Sequence, residues 1–158
     1  MDIALQPFGR PLAPAALLAR AEALAARQPA LAGALKGKNI GLVSAAADSR
    51  EARLFSAAAA GLGAKVAHVR AALSESSPAP AVAETARLLG RLYDAIECQG
   101  MSEALLQLIR REAGIPVFDG IAGAQHWSAA LTASLDPALP EERRRMLLIQ
   151  AQLLEAAI

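Results

Sequence analysis

Aromatic side chains are scarce in this chain of 158 residues: three phenylalanines, one tyrosine and one tryptophan, 3% in all. So few bulky anchors argue against an aromatic-rich binding surface and for thin, closely packed helical interfaces. A single cysteine, Cys98, excludes an intramolecular disulfide and gives no sign of an oxidising compartment. No apolar run is long enough to cross a bilayer, because Arg10, Pro11, Pro14, Arg20 and Glu22 break the N-terminal apolar stretch and rule out a signal-peptide core as well. An excess of one charge is also missing. Sixteen basic residues face fifteen acidic ones, leaving +1 and no basic stripe for nucleic acid. Two histidines and one cysteine without a third ligand at any recognisable spacing make no metal site, and no cofactor motif stands out. The expectation is a soluble cytoplasmic protein without nucleic-acid or membrane partners.

What is present is a folding composition. Hydrophobic residues make up 54% against 20% charged, and alanine alone supplies roughly a quarter of the chain. Its length suits one domain over residues 1–158. Leu17, Leu18, Ala21, Leu24 and Ala25 follow helical spacing up to Gln28-Pro29. Asn39–Val43 is a short apolar run of the kind buried strands show, followed by a loop at 45–48 and a helix from Ser49 to Gly61. Strand Lys65–Val69, a polar loop through Ser74–Pro80, helix Ala83–Arg91, strand Asp94–Cys98, helix Ser102–Ala113 and strand Ile115–Asp119 continue the alternation. Pro116 favours an edge or a strand start. The rhythm predicts an α/β, three-layer domain: a central four-stranded parallel sheet with helices on both faces. A core over 1–138 would be followed by a C-terminal docking helix over 139–158, opened by Pro140, Glu141 and Glu142. Ligands of such sheets lie beyond the strands' carboxyl ends, which here means loops 44–50, 70–80, 98–101 and 119–128.

Four segments, in order, resemble the N-terminal, carbamoyl-phosphate-binding domain of the aspartate and ornithine carbamoyltransferases. They are Leu35–Leu42, Phe55 through Leu62-Gly63, Thr85–Ile96, and Ile115–Gly120 with His126. The resemblance implies that domain's fold and a phosphate seat at the start of the first long helix. In the family this seat is Ser-Thr-Arg-Thr-Arg, and here Asp48, Ser49, Arg50, Glu51 and Ala52 stand in its place. Asp48 and Glu51 put carboxylates where phosphate oxygens would go. The same two residues read as a capping box, Asp48 at the N-cap and Glu51 three residues on, while Ser49 and Arg50 leave open the binding of a small anion. Gln99-Gly100 replaces the family's Arg-Thr after the third strand, and in the His-Pro-x-Gln motif His126 remains while Trp127, Ser128 and Ala129 replace the rest.

With those donors gone, carbamoyl transfer should fail, since one lost oxyanion donor typically costs about a hundredfold or more. No residue is assigned a catalytic role. Asp48, Ser49, Arg50, Glu51, Gln99 and His126 form a candidate vestigial ligand site, with His126 and His68 each also explicable as structural residues and Trp127 as core or interface. The resemblance further implies that the acceptor amino-acid domain is missing, with Asp136–Pro140 at its place and the terminal helix retained. The expected function is a stand-alone, inactive carbamoyltransferase-like binding or assembly module. Its implied partners are copies of itself, as a homotrimer, or an intact relative. The alternatives are a residual carbamoyl-phosphate or anion-binding subunit in amino-acid metabolism, completed by a partner chain, or a pocket that takes a cationic or neutral small molecule through Asp48, Glu51 and Gln99.

Overall fold

The computed structural model describes residues 12–70, 73–156 and 158. Residues 1–11, including Arg10 and Pro11, and part of the loop at 70–80 lie outside that range. Four parallel strands form one sheet in the order β2-β1-β3-β4: β1 Asn39–Val43, β2 Lys65–Val69, β3 Ala95–Cys98 and β4 Val117–Asp119. All three pairings are parallel, and Leu42 of β1 lies opposite both His68 of β2 and Glu97 of β3. The inner strands are nearly all buried, as continuous apolar runs between two helical layers should be. Pro116 precedes β4, which is an edge strand, so its missing N–H disrupts no central ladder.

Helices α1 Pro14–Ala26, α2 Arg50–Gly61, α3 Ala79–Leu92, α4 Glu103–Ala113 and α5 Glu141–Glu155 complete the α/β fold. One face of the sheet packs Val43, Ile96, Cys98 and Val117 against Val82, Ala86 and Leu89 of α3 and Leu105, Leu106 and Ile109 of α4. There the two helices meet at Gly90, where an added Cβ would lie 1.9 Å from the Ala113 carbonyl oxygen. The opposite face packs Ile40, Leu42 and Ala95 against Phe55, Ala58 and Ala59 of α2 and Ile149 and Leu153 of α5. Beyond α5, α1 closes a further layer through Leu17, Ala21 and Leu24 against Leu147, Leu148 and Ala151.

Several boundaries differ from those read in the sequence. Helix α3 begins at Ala79, four residues before the expected start, because Pro80 falls in its first turn, where proline costs no hydrogen bond. The third and fourth strands begin at Ala95 and Val117. Short 3₁₀ segments occupy Gln28–Leu31 and Trp127–Ser134, the second within the expected loop and beyond it. No helix among the described residues is long and apolar enough to cross a membrane.

A cleft at the carboxyl ends of the strands

The carboxyl ends of β1, β3 and β4 open into a cleft of about 1140 Å³. Its walls are the segment after β1 (Ser44, Ala45, Ala46), the start of α2 (Ser49, Glu51), the segment after β3 (Gln99 to Met101), the segment from Asp119 to Trp127, and the end of α5 (Gln152, Glu155). Of the four loops expected to carry function, the one over 70–80 contributes no described residue to it. Instead Glu75 accepts hydrogen bonds from the Ser102 N–H at 2.9 Å and its hydroxyl at 2.7 Å, which ties this loop to the first turn of α4. Those bonds hold the Glu75 carboxyl below its ordinary range.

The six candidate residues divide. Ser49, Glu51, Gln99 and His126 line the cleft, whereas Asp48 and Arg50 do not. The Arg50 guanidinium lies 3.9 Å from Glu141 at the start of α5, with both side chains mostly exposed. The capping box is overturned. Ser49 is the N-cap of α2, with extended backbone angles, and its hydroxyl accepts from the Ala52 N–H at 3.1 Å. Glu51 then falls at the second helical position, too early to reach back as a box requires, and Asp48 stays exposed outside the helix. Glu51 sits instead where a first-turn carboxylate interacts favourably with the helix dipole, and it faces the cleft. Gln99 also faces the cleft, and neither its amide oxygen nor its nitrogen has a hydrogen-bond partner among the described residues.

Charge in the cleft is one-sided. Among the described residues, the carboxylates of Glu51, Glu103, Asp119 and Glu155 line it against one guanidinium, Arg110. Arg20 holds Glu155 at 2.6 Å, and Arg110 lies 3.5 Å from Glu103. Burial raises the Asp119 carboxyl, with Arg110 opposing and Glu103 adding to the rise.

His126 is held in one tautomer. The Ser128 N–H donates to Nδ1 at 3.2 Å, and the Ser128 hydroxyl lies 2.7 Å from the same nitrogen. A nitrogen that accepts an N–H carries no proton, so the hydroxyl also donates to it and the neutral ring bears its hydrogen on Nε2. Burial and the nearby Arg145 push His126 down to about 4. Trp127 packs its ring against His126 at 5.4 Å between centroids and is 47% exposed, so it is not a core residue. His68, on the edge strand, bonds the Ser44 carbonyl oxygen through Nε2 at 3.0 Å.

Sequence reading passed over the groups beneath this wall. Glu97, in the middle of β3, is fully buried, and burial drives its carboxyl up to about 8. The only sign of it was an acid inside an otherwise apolar strand, Ala-Ile-Glu-Cys. Arg145 of α5 is also buried and donates to the carbonyls of Ile121 at 3.2 Å and Gly123 at 3.3 Å. The Cys98 thiol, sealed under α4, is pushed up to about 12 by burial first and then by Glu97.

No protein-family model matches the chain. Over 92 residues, 58% of this chain, it is 37% identical to an ornithine carbamoyltransferase of Actinobacillus pleuropneumoniae, and equally so to a catabolic ornithine carbamoyltransferase of Haemophilus influenzae. It spans 28% of the length of these curated relatives. Among solved structures, the ornithine carbamoyltransferase of Gloeobacter violaceus superimposes on 67% of this chain and 33% of its own, at 32% identity and a TM-score of 0.53. Aspartate transcarbamoylase of Trypanosoma cruzi covers 77% of this chain and 39% of its own at 21% identity and a TM-score of 0.58, which speaks for the fold alone. The four-stranded parallel sheet with its helices is therefore an α/β fold like that of carbamoyltransferase domains. The chain's homologues and structural neighbours are ornithine and aspartate carbamoyltransferases, matched over part of their N-terminal domain.

Proposed function

We propose that this chain is a non-catalytic carbamoyltransferase-like domain that serves as a cytoplasmic binding or assembly module. The observation that carries this reading is the charge of the cleft: Glu51 faces it from the first turn of α2, while Arg50 turns away to Glu141. A phosphate oxygen about 4 Å from the Glu51 carboxylate would be repelled by about 4 kcal/mol at an effective dielectric near 20. Among the described residues Arg110 is the one guanidinium lining the cleft, and Glu103 shares it. Gln99 and Trp127 to Ala129 replace the donors that the family resemblance would put around a developing oxyanion. Asp48, Ser49, Arg50, Glu51, Gln99 and His126 remain as the vestige of that site, four of them on the cleft wall.

The same resemblance implies assembly around a threefold axis, as a homotrimer or with an intact relative. It also implies one domain over 1–158, in which the segment from 139 onward closes against the 1–138 core. Light scattering after size-exclusion chromatography tests the assembly: a strict monomer at micromolar concentrations defeats it. Thermal denaturation tests the site. Carbamoyl phosphate should leave the melting temperature of the wild type unmoved and raise that of Glu51→Thr, whereas a raised value in the wild type overturns the inactive reading.

One observation favours a second reading. The Ser44 and Ser49 residues, the start of α2 and Arg110 still meet in the cleft, as a small-anion site requires. In that case the chain would be a residual anion-binding subunit that completes carbamoyl transfer with a partner. Ligand at a hundred times its dissociation constant would then stabilise the wild type by about 2.7 kcal/mol.

A further inference from the structure

The segment from Gly120 to Trp127 forms one wall of the cleft; Ile121 and Ala122 are buried in the apolar core, the residues from Gly123 to Trp127 are not, and hydrogen bonds link the two parts. Gly120, with φ of 54°, turns the chain off β4 in a conformation that favours glycine. Next comes Ile121, whose peptide groups are gripped from two sides. Its N–H donates to Glu97 Oε1 at 3.2 Å, and its carbonyl accepts from Arg145 Nη2 at 3.2 Å. Arg145 also donates to the Gly123 carbonyl, which is the oxygen that accepts the His126 N–H at 3.2 Å. Two turns later in α5, Gln152 donates to the Ser128 hydroxyl at 3.3 Å, the group bonded to His126 Nδ1. The link from Glu97 to the imidazole is thus continuous through Ile121, Arg145 and Gly123.

Neither charged side chain is saturated. Glu97 Oε2 and one terminal nitrogen of Arg145, Nη1, are buried without a hydrogen-bond partner among the described residues. A carboxylate buried this deeply needs more than one donor, and the N–H groups of Gly120 and Ala122 also favour its ionised form, the first while donating to the Cys98 carbonyl oxygen at 2.8 Å. Ionised, Glu97 draws those amides toward it; protonated, it holds them less strongly.

We propose that Glu97 and Arg145 are the positioning residues of the cleft, acting from opposite sides on the Ile121 backbone to set the path of residues 120–123 and with it the placement of His126 and Trp127. Glu97 is the member of the pair whose charge can change. Leu42 and Phe118 flank it on the neighbouring strands, His68 lies in the same cross-strand row two strands away, and Asp119 opposes its ionisation from β4. Cys98 is its chain neighbour, and Arg110 acts on Cys98 and Asp119. The pairing does not depend on whether the cleft binds an anion.

Trp127, the only tryptophan, reports on it directly. Its emission in the full chain should shift across a single transition with a midpoint at about pH 8, where Glu97 titrates. The far-ultraviolet circular dichroism should stay constant over the same range. Glu97→Gln should abolish the shift, and Arg145→Met should uncouple Trp127 from it while Arg145→Lys partly restores it. A transition that persists in Glu97→Gln, or no transition in the wild type, overturns the proposal. If Glu97→Gln does not fold, the wild type decides: the amide proton of Ile121 must titrate with the same midpoint as Trp127, and an invariant amide overturns it.

Discussion

On one side of the sheet α3 and α4 seal an apolar layer in which Gly90 lets the Ala113 backbone come close; on the other, where α2, α5 and the 3₁₀ segment Trp127–Ser134 lie, are Glu97, Ser128, Thr132, Arg145 and Gln150, the buried polar residues among those described. The apolar side is held by shape alone, the polar side by an apolar core of its own together with buried polar groups that are only partly hydrogen-bonded. These two kinds of cohesion respond to different perturbations. Shape fails when volume is added, whatever the pH, whereas a buried charge is sensitive to protons and tolerates small changes of volume.

The largest effect expected is on the apolar side. Gly90→Ala would drive a methyl into the Ala113 carbonyl oxygen, 1.9 Å away, so α3 and α4 must separate. Overpacking of this kind costs about 3 kcal/mol or more, the upper end of its usual range. Urea denaturation should show it as a lower midpoint at all pH values, and an unchanged midpoint would refute the close packing.

On the polar side the effect depends on pH, and two groups act in opposite senses. Glu97 holds a proton in the folded state up to about pH 8 but releases it at about 4.5 when unfolded, so its contribution falls as pH rises between those values. His126 is neutral when folded down to about pH 4 and protonates at about 6.5 when unfolded, so its contribution rises with pH over that interval. Below about 6.5 the two slopes offset one another, and above it Glu97 alone remains, with stability lost at up to about 1.4 kcal/mol per pH unit until about pH 8. A denaturation series should show a plateau and then a decline. Glu97→Gln should remove the decline, and His126→Asn should extend it toward low pH.

The smallest effect is at the edge of the polar side. Ser49→Ala removes the cap of α2 and should cost about 1 kcal/mol, whereas Asp48→Ala, exposed and outside the helix, should leave the denaturation midpoint unchanged. Equal effects at the two positions would reverse the cap assignment.

Much of the architecture could be read from local pattern. Asn39–Val43 and Lys65–Val69 are short runs bounded by turn residues, and their limits agree with β1 and β2. The parallel sheet follows from alternation alone. The cleft was legible only in part. Asp48 and Ser49 are adjacent residues of equally good capping type, and only the backbone path out of β1 decides between them. In the sequence Arg50 stays open to a small anion, because nothing local predicts that α5 brings Glu141 beside it. Arg145 sits in a run of three arginines, and helical phase would have set it apart, since it shares a stripe with Leu148, Ile149 and Gln152. What it bonds, the carbonyls of Ile121 and Gly123, depends on contacts more than twenty positions away in the chain, beyond the reach of any local pattern.

Cys98 turns the sealed interior into a clock. Its sulfur lies beneath α4 and is held almost wholly in the unreactive protonated form, so a maleimide or disulfide reagent can modify it only after the layer above has lifted. Because the chain holds no other thiol, each labelled molecule records one opening event. The rate of mass gain under native conditions therefore times the departure of α4 from the sheet, without any probe having to be engineered.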